Sequence, residues 1–295
     1  MVIQNDLYSR ENVLNMISAM RNLIDDSAVL FNKYKNMPNP ESIAIREWND
    51  SQNKELIKDV CYRGILSMES AADHLMAYAD SISEPAKTIA PWTCVRGLLE
   101  SCALALWFLD PNINAHERLS RCFAFRYSGF MEQKKFLRVD NATIEIEKVE
   151  RRIKKVEQDA ILLGYAPVLN KKGEIDGIAQ SMPSIIDLIR RTLNREGEYR
   201  LLSGIAHGHH WAIGKMGFRV CEEEYEDNND LTYEKYLHPE IVLFATDIAV
   251  SAFANVLWYL WQLYGWNEEE IKNLLNKIYD QLHYKKKQRF WNSIR

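Results

Sequence analysis

IVLFATDIAVSAFANVLWYLWQLYGW, residues 241–266, is the stretch whose reading decides the fold. Only Asp247, Asn255 and Gln262 interrupt it with strong polarity. A helix that is apolar all round is either a membrane span or the buried centre of a helical bundle. An acidic segment, EEEYEDNND at residues 222–230, precedes it, and we read no second stretch of comparable character. The expectation is therefore a bundle with one apolar central helix, and no membrane partner.

Working outward, apolar residues recur at three- and four-residue spacing through most of the chain, the signature of amphipathic helices. Downstream, residues 268–284 read as a closing helix. Upstream, helices are expected over 12–34, 51–81, 92–109, 115–137, 140–164, 183–194 and 196–208, with Asn141 as the N-cap of the fifth. The charge run at 144–160, IEIEKVERRIKKVEQDA, suits a solvated outer face with Glu147–Arg151 and Glu150–Lys154 pairs. Residues 165–182, with Pro167, Gly173 and Gly177, form an irregular region able to hold a short hairpin. Residues 209–240 read as a polar loop. The sum is an all-α, multi-helix bundle of about eight to nine helices. It forms one helical domain over 1–295, with 165–182 as the candidate sub-boundary.

Composition agrees. The chain is 47% hydrophobic and 26% charged, with only 12 Gly and 8 Pro among 295 residues, so its elements are long and its core substantial. A net charge of −4 excludes a general polyanion-binding surface. The tail at 284–295, YKKKQRFWNSIR, interleaves cations with Phe290 and Trp291. It suits either phosphate and base contacts or a helix C-terminus complementing its macrodipole. Five cysteines, an odd number without a CxxC pair, read as reduced core residues of a cytoplasmic protein. Asn5, Asp6, Arg10 and Glu11 do not fit a signal peptide.

Two places break the local pattern. The first is PWTCVRGLLESCALALWFLDP at 91–111, where Arg96 and Glu100 sit four apart in an otherwise apolar helix. A buried lone charge is costly, so each needs a partner. The pair is either a structural ion pair or a polar functional centre. The second is YRLLSGIAHGHH at 199–210. Tyr199, Ser203 and His207 recur every fourth residue. Arg200 and His207, seven apart, differ by about 20° around the axis and about 10 Å along it. One side of a helix is thus expected to present Tyr, Arg, Ser and His. Gly204 and Gly208 cost about 1 kcal/mol each if interior. Histidine can move protons near neutral pH, and arginine can hold a phosphate by two hydrogen bonds. His207, His209 and His210 are poorly spaced for a metal and have no nearby carboxylate, so neither metal nor cofactor is expected.

The R-x6-H spacing of Arg200 and His207 resembles the signature of the HEPN (higher eukaryotes and prokaryotes nucleotide-binding) superfamily. That resemblance implies an all-α fold and a metal-independent ribonuclease. It implies homodimerisation to build the site, and a setting in toxin–antitoxin or antiviral defence systems. His207 would act in proton transfer, Arg200 would hold the scissile phosphate, and the RNA 2′-hydroxyl would attack. Leu201 stands where that superfamily often has a polar residue. More broadly, 92–208 is similar to a group of bacterial helical proteins sharing RxxxE and YRxLSxxxHG motifs. That similarity singles out Arg96, Glu100, Arg118, Arg121, Tyr199, Ser203 and His207 but brings no activity. Two main readings follow. One is a ribonuclease or toxin/defence effector acting on RNA. It is catalysed by Arg200 and His207, supported by Arg96, Glu100, Tyr199 and Ser203, and given phosphate contacts by Arg118 and Arg121. It would have a protein partner such as an antitoxin or defence-complex subunit. The other is a non-catalytic binding or assembly protein with a structural polar centre. A pocket enzyme or sensor is a third.

Overall fold

Long apolar-periodic segments become helices α1 (Arg10–Lys33), α3 (Lys54–Ser81), α4 (Ala90–Leu109), α5 (Ala115–Val139), α6 (Thr143–Leu162), α10 (Pro239–Tyr264) and α11 (Glu268–Gln281). Shorter ones become α2 (Ile43–Asp50), α7 (Ile185–Thr192), α8 (Glu196–Ala206) and α9 (His210–Met216). The structure is a computed structural model describing residues 10–50, 53–216, 218–220, 233–235 and 239–282. It is 76% helical, so the all-α expectation holds. Eleven helices among the described residues replace the expected eight to nine. The additions are α2 and α9, of 8 and 7 residues, too short to give a clear period. The acidic segment at 222–230, the basic tail at 284–295 and Cys221 lie outside the described residues.

The expected hairpin is present as β1 (Pro167–Leu169), β2 (Ile175–Ile178) and β3 (Gln180–Ser181), paired antiparallel in that order. The expected loop at 209–240 instead holds α9 and an antiparallel pair, β4 (Phe218–Val220) with β5 (Tyr233–Lys235). Asn141 does not cap α6. It takes a left-handed φ of 52°, and Ala142 stands at the cap position without a side-chain bond. Asn114 and Asn267 do cap, accepting from the Glu117 and Glu269 amides at 2.9 Å each.

The chain divides into two compact units. The larger comprises Met1–Ile45, Gly64–Asp110 and Ile185–Arg295. Its centre is α10 laid against α4, and α1 packs on both α10 and α11. Trp92, Leu98, Leu99 and Phe108 of α4 and Phe253 of α10 are fully buried, each contributing about 1.5–3 kcal/mol. The Tyr78 hydroxyl donates to the Val242 carbonyl at 3.0 Å. Trp266 stacks on Tyr34 at 4.9 Å, meets Phe31 edge-on at 5.1 Å and donates to the Met37 carbonyl at 2.8 Å. That pins the α10–α11 turn to the end of α1. The second apolar segment that the sequence reading discounted is α4. Both α4 and α10 are long and apolar enough to cross a membrane, and 61% and 67% of their most apolar windows are buried inside the structure.

The smaller unit comprises Arg46–Arg63 and Pro111–Ser184. Here α6 packs on α5, burying Val149, Ile153, Val156 and Ala160 at helical spacing and leaving its charged faces wet. Glu150 pairs across to Lys134 at 2.6 Å. The sheet lies on α5, where the Gln180 amide donates to Ser120 Oγ at 2.8 Å.

Candidate functional site

Tyr199 is turned inward from α8, 3% exposed, and its hydroxyl donates to Glu100 Oε1 of α4 at 2.8 Å. Arg96 Nε lies 3.0 Å from the same oxygen. Its N–H is not aimed there, so the contact is Coulombic and Nε keeps no hydrogen-bond acceptor. The guanidinium carbon stands 5.8 Å from the Tyr199 ring centroid. Burial and the bond to Glu100 raise the Tyr199 phenol above its ordinary range, against the opposing pull of Arg96. It stays a neutral donor. Arg96, Glu100 and Tyr199 thus meet and largely satisfy one another, while Arg200 and His207 do not join them. Ser203, one turn along, is half-buried.

Arg200 points elsewhere. Its side chain is 58% exposed and holds Glu196 through Nη2 at 2.8 Å. Glu196 also receives Arg190 Nε, and these two cations draw its carboxyl down to about 2. The one-sided stripe therefore splits. Adjacent residues on a helix lie about 100° apart, so Tyr199 goes to the core and Arg200 to solvent.

His207 is exposed at the C-cap of α8. Its ring centroid is 6.2 Å from that of His209. The helix ends here because Gly208, at φ 72°, takes the left-handed position of a Schellman motif. The Gly208 amide donates to the Ile205 carbonyl at 2.9 Å and the His209 amide to the Gly204 carbonyl at 2.9 Å. Gly208 is thus outside the helix and carries no interior penalty. Gly204 is interior, and its hydrogen admits a neighbour. A Cβ there would lie 2.9 Å from Trp211 Cζ2 and 3.0 Å from the Ala212 Cβ. The chain folds back through α9 and lays Trp211 on this turn of α8.

Arg118 and Arg121 belong to the smaller unit and are engaged by carboxylates. Arg118 is fully buried, with Nε and Nη2 on the two Glu47 oxygens at 2.6 and 3.2 Å. Arg121 Nε meets Glu117 at 3.0 Å and is mostly buried. The fork that a phosphate would need on Arg118 is filled by Glu47, which corrects its phosphate-binding assignment. Sequence reading also passed over Trp211, Lys215 and Arg190, all exposed and all near α8 in sequence. The Trp211–Lys215 spacing of four was a usable signal inside what was read as a loop.

No group of three His, Cys, Asp or Glu side chains suited to a metal occurs among the described residues. No protein-family model matches the chain, and neither does any curated protein or solved structure.

Proposed function

We propose that the chain is an endoribonuclease that uses Arg200 and His207 of α8, in the manner of the HEPN superfamily it resembles. The observation that carries this reading is the exposure of both side chains on one short helix, while Tyr199 of the same helix is spent on Glu100. His207 takes the proton of a 2′-hydroxyl, and the freed oxygen attacks the adjacent phosphorus. Arg200 holds the non-bridging oxygens. Arg190 retains Glu196 when Arg200 moves to the phosphate, so no carboxylate is stranded. The P–O5′ bond breaks, and a protonated imidazole from a second copy of the chain protonates the leaving oxygen. The products are a 2′,3′-cyclic phosphate and a 5′-hydroxyl. A role as a toxin or defence effector in the cytoplasm, restrained by a protein partner, belongs to the same proposal.

The test is cleavage of RNA by purified protein in the presence of chelator, with end-group analysis of the products. His207→Ala and Arg200→Ala each lose about 10²–10⁴-fold in rate with unchanged thermal melts. Cleavage unaffected by both substitutions, or no cleavage by wild type at all, sinks the reading. One observation favours the alternative of a non-catalytic assembly protein: Arg96, Glu100 and Tyr199 tie α4 to α8 as a structural polar centre.

A further inference from the structure

Trp211 is 55% exposed. A single exposed aromatic is ordinary on a protein surface. What distinguishes this one is how firmly it is held and where. The benzo edge of its indole rests on Gly204, at a distance no side chain larger than hydrogen permits. Lys215 Nζ stands 5.9 Å from the ring centroid. Gly204 lies one turn beyond Arg200 and three residues before His207. Positions i, i+4 and i+7 share a helix face, so the indole is seated on the strip of α8 that carries both.

We infer that Trp211 is a base-stacking platform for single-stranded RNA, seated beside the Arg200–His207 pair. The choice of RNA as ligand rests on the ribonuclease reading; the platform itself rests on the placement of the ring. An exposed indole with Lys215 5.9 Å from its centroid, seated at the turn of α8 between Arg200 and His207, offers a π-face next to a cation. That is the pairing a nucleobase and its phosphate require. Stacking a base there brings its ribose and phosphate to the α8 surface, where the 2′-hydroxyl and the scissile phosphate have to be. Every base has a π-face, so the platform selects unpaired nucleotides over duplex without selecting sequence. Gly204 is then a specificity-supporting residue, because it seats the ring.

The test is equilibrium binding of a short 2′-O-methyl oligonucleotide, which cannot be cleaved, compared with an abasic oligomer of the same charge. Trp211→Ala weakens binding of the base-bearing oligomer by about 5- to 150-fold, the range for loss of one stacked base. Trp211→Phe recovers most of it. Gly204→Ala, which displaces the ring, weakens it in the same direction. The abasic oligomer binds wild type and Trp211→Ala alike. Equal binding of both oligomers by wild type, or wild-type affinity in Trp211→Ala with the melt unchanged, overturns the inference. His207→Ala separates the two claims. If it abolishes cleavage while Trp211→Ala leaves binding intact, the ribonuclease stands and the platform falls. If binding depends on Trp211 but wild type never cleaves, the platform stands and the catalytic reading falls.

Discussion

The Tyr199 hydroxyl and Glu100 Oε1, brought together from α8 and α4, meet at 2.8 Å and settle which side of α8 faces the core. A hydrogen bond to a charged acceptor is worth about 1.5–3 kcal/mol, and partial solvent access to Glu100 lowers this toward about 1 kcal/mol. Tyr199→Phe is therefore expected to lower the unfolding free energy by that amount, read as a reduced urea midpoint at unchanged m, and leave the rate of RNA cleavage near wild type. A large fall in rate with an unchanged midpoint would instead move the phenol into the chemistry.

In the smaller unit, Arg118 and Glu47 form a buried bidentate pair. Removing one member strands the other charge, so Glu47→Ala or Arg118→Ala costs about 3–5 kcal/mol. Replacing both by apolar residues, as Glu47→Leu with Arg118→Met, is expected to regain most of that loss. A double-mutant cycle in denaturant built from Glu47→Leu, Arg118→Met and their combination measures it. Additive losses in the double variant would contradict a desolvated, mutually compensating pair.

Glu196 sets an acid-side dependence. Its carboxyl is lowered from an ordinary 4.5 to about 2, chiefly by its bonds to Arg190 and Arg200. A depressed carboxyl favours the folded state above its unfolded value, and that contribution disappears as pH falls through the folded one. The stability gap between wild type and Glu196→Gln should therefore be widest above pH 4.5 and close toward pH 2. Urea midpoints taken across that window check it; a gap that widens on acidification has the wrong sign for this account.

Thiol reactivity should follow burial. Burial pushes the thiols of Cys61 and Cys122 up to about 11 and raises Cys102 further. Cys94 is half-buried and less perturbed. In a Cys221→Ser background, alkylation at mild alkaline pH followed by peptide mapping is expected to find Cys94 modified first. The other three should stay protected until denaturant is added. Early labelling of Cys102 would contradict its burial in α4.

The long helices were legible because burying one face of α1, α3 or α6 imposes a period over many residues. Residues 43–50 and 210–216 were not, because each holds only about two turns. Asn141 misled because asparagine suits both an N-cap and a left-handed turn, and the three-residue link into α6 took the second. In the site, the need of Arg96 and Glu100 for partners was legible because two charges in an apolar helix demand them; that Tyr199 is one of those partners was not. Nor was the placement of Trp211, since it depends on where the chain turns after Gly208. Arg118 looked like a phosphate ligand only because Glu47, far away in sequence, gave no sign of claiming it.

Neither compact unit is one continuous piece of chain, and this sets an order of events during synthesis. The smaller unit is complete once Ser184 has left the ribosome. The larger one is not, because α4 is made early and its main neighbour, α10, only with residues 239–264. Through that interval α4 has α7 and α8 to pack against, but the side that α10 will cover is left bare. A polypeptide stalled or cleaved ahead of Pro239 is left in that condition permanently, and is a natural client for chaperones and proteases.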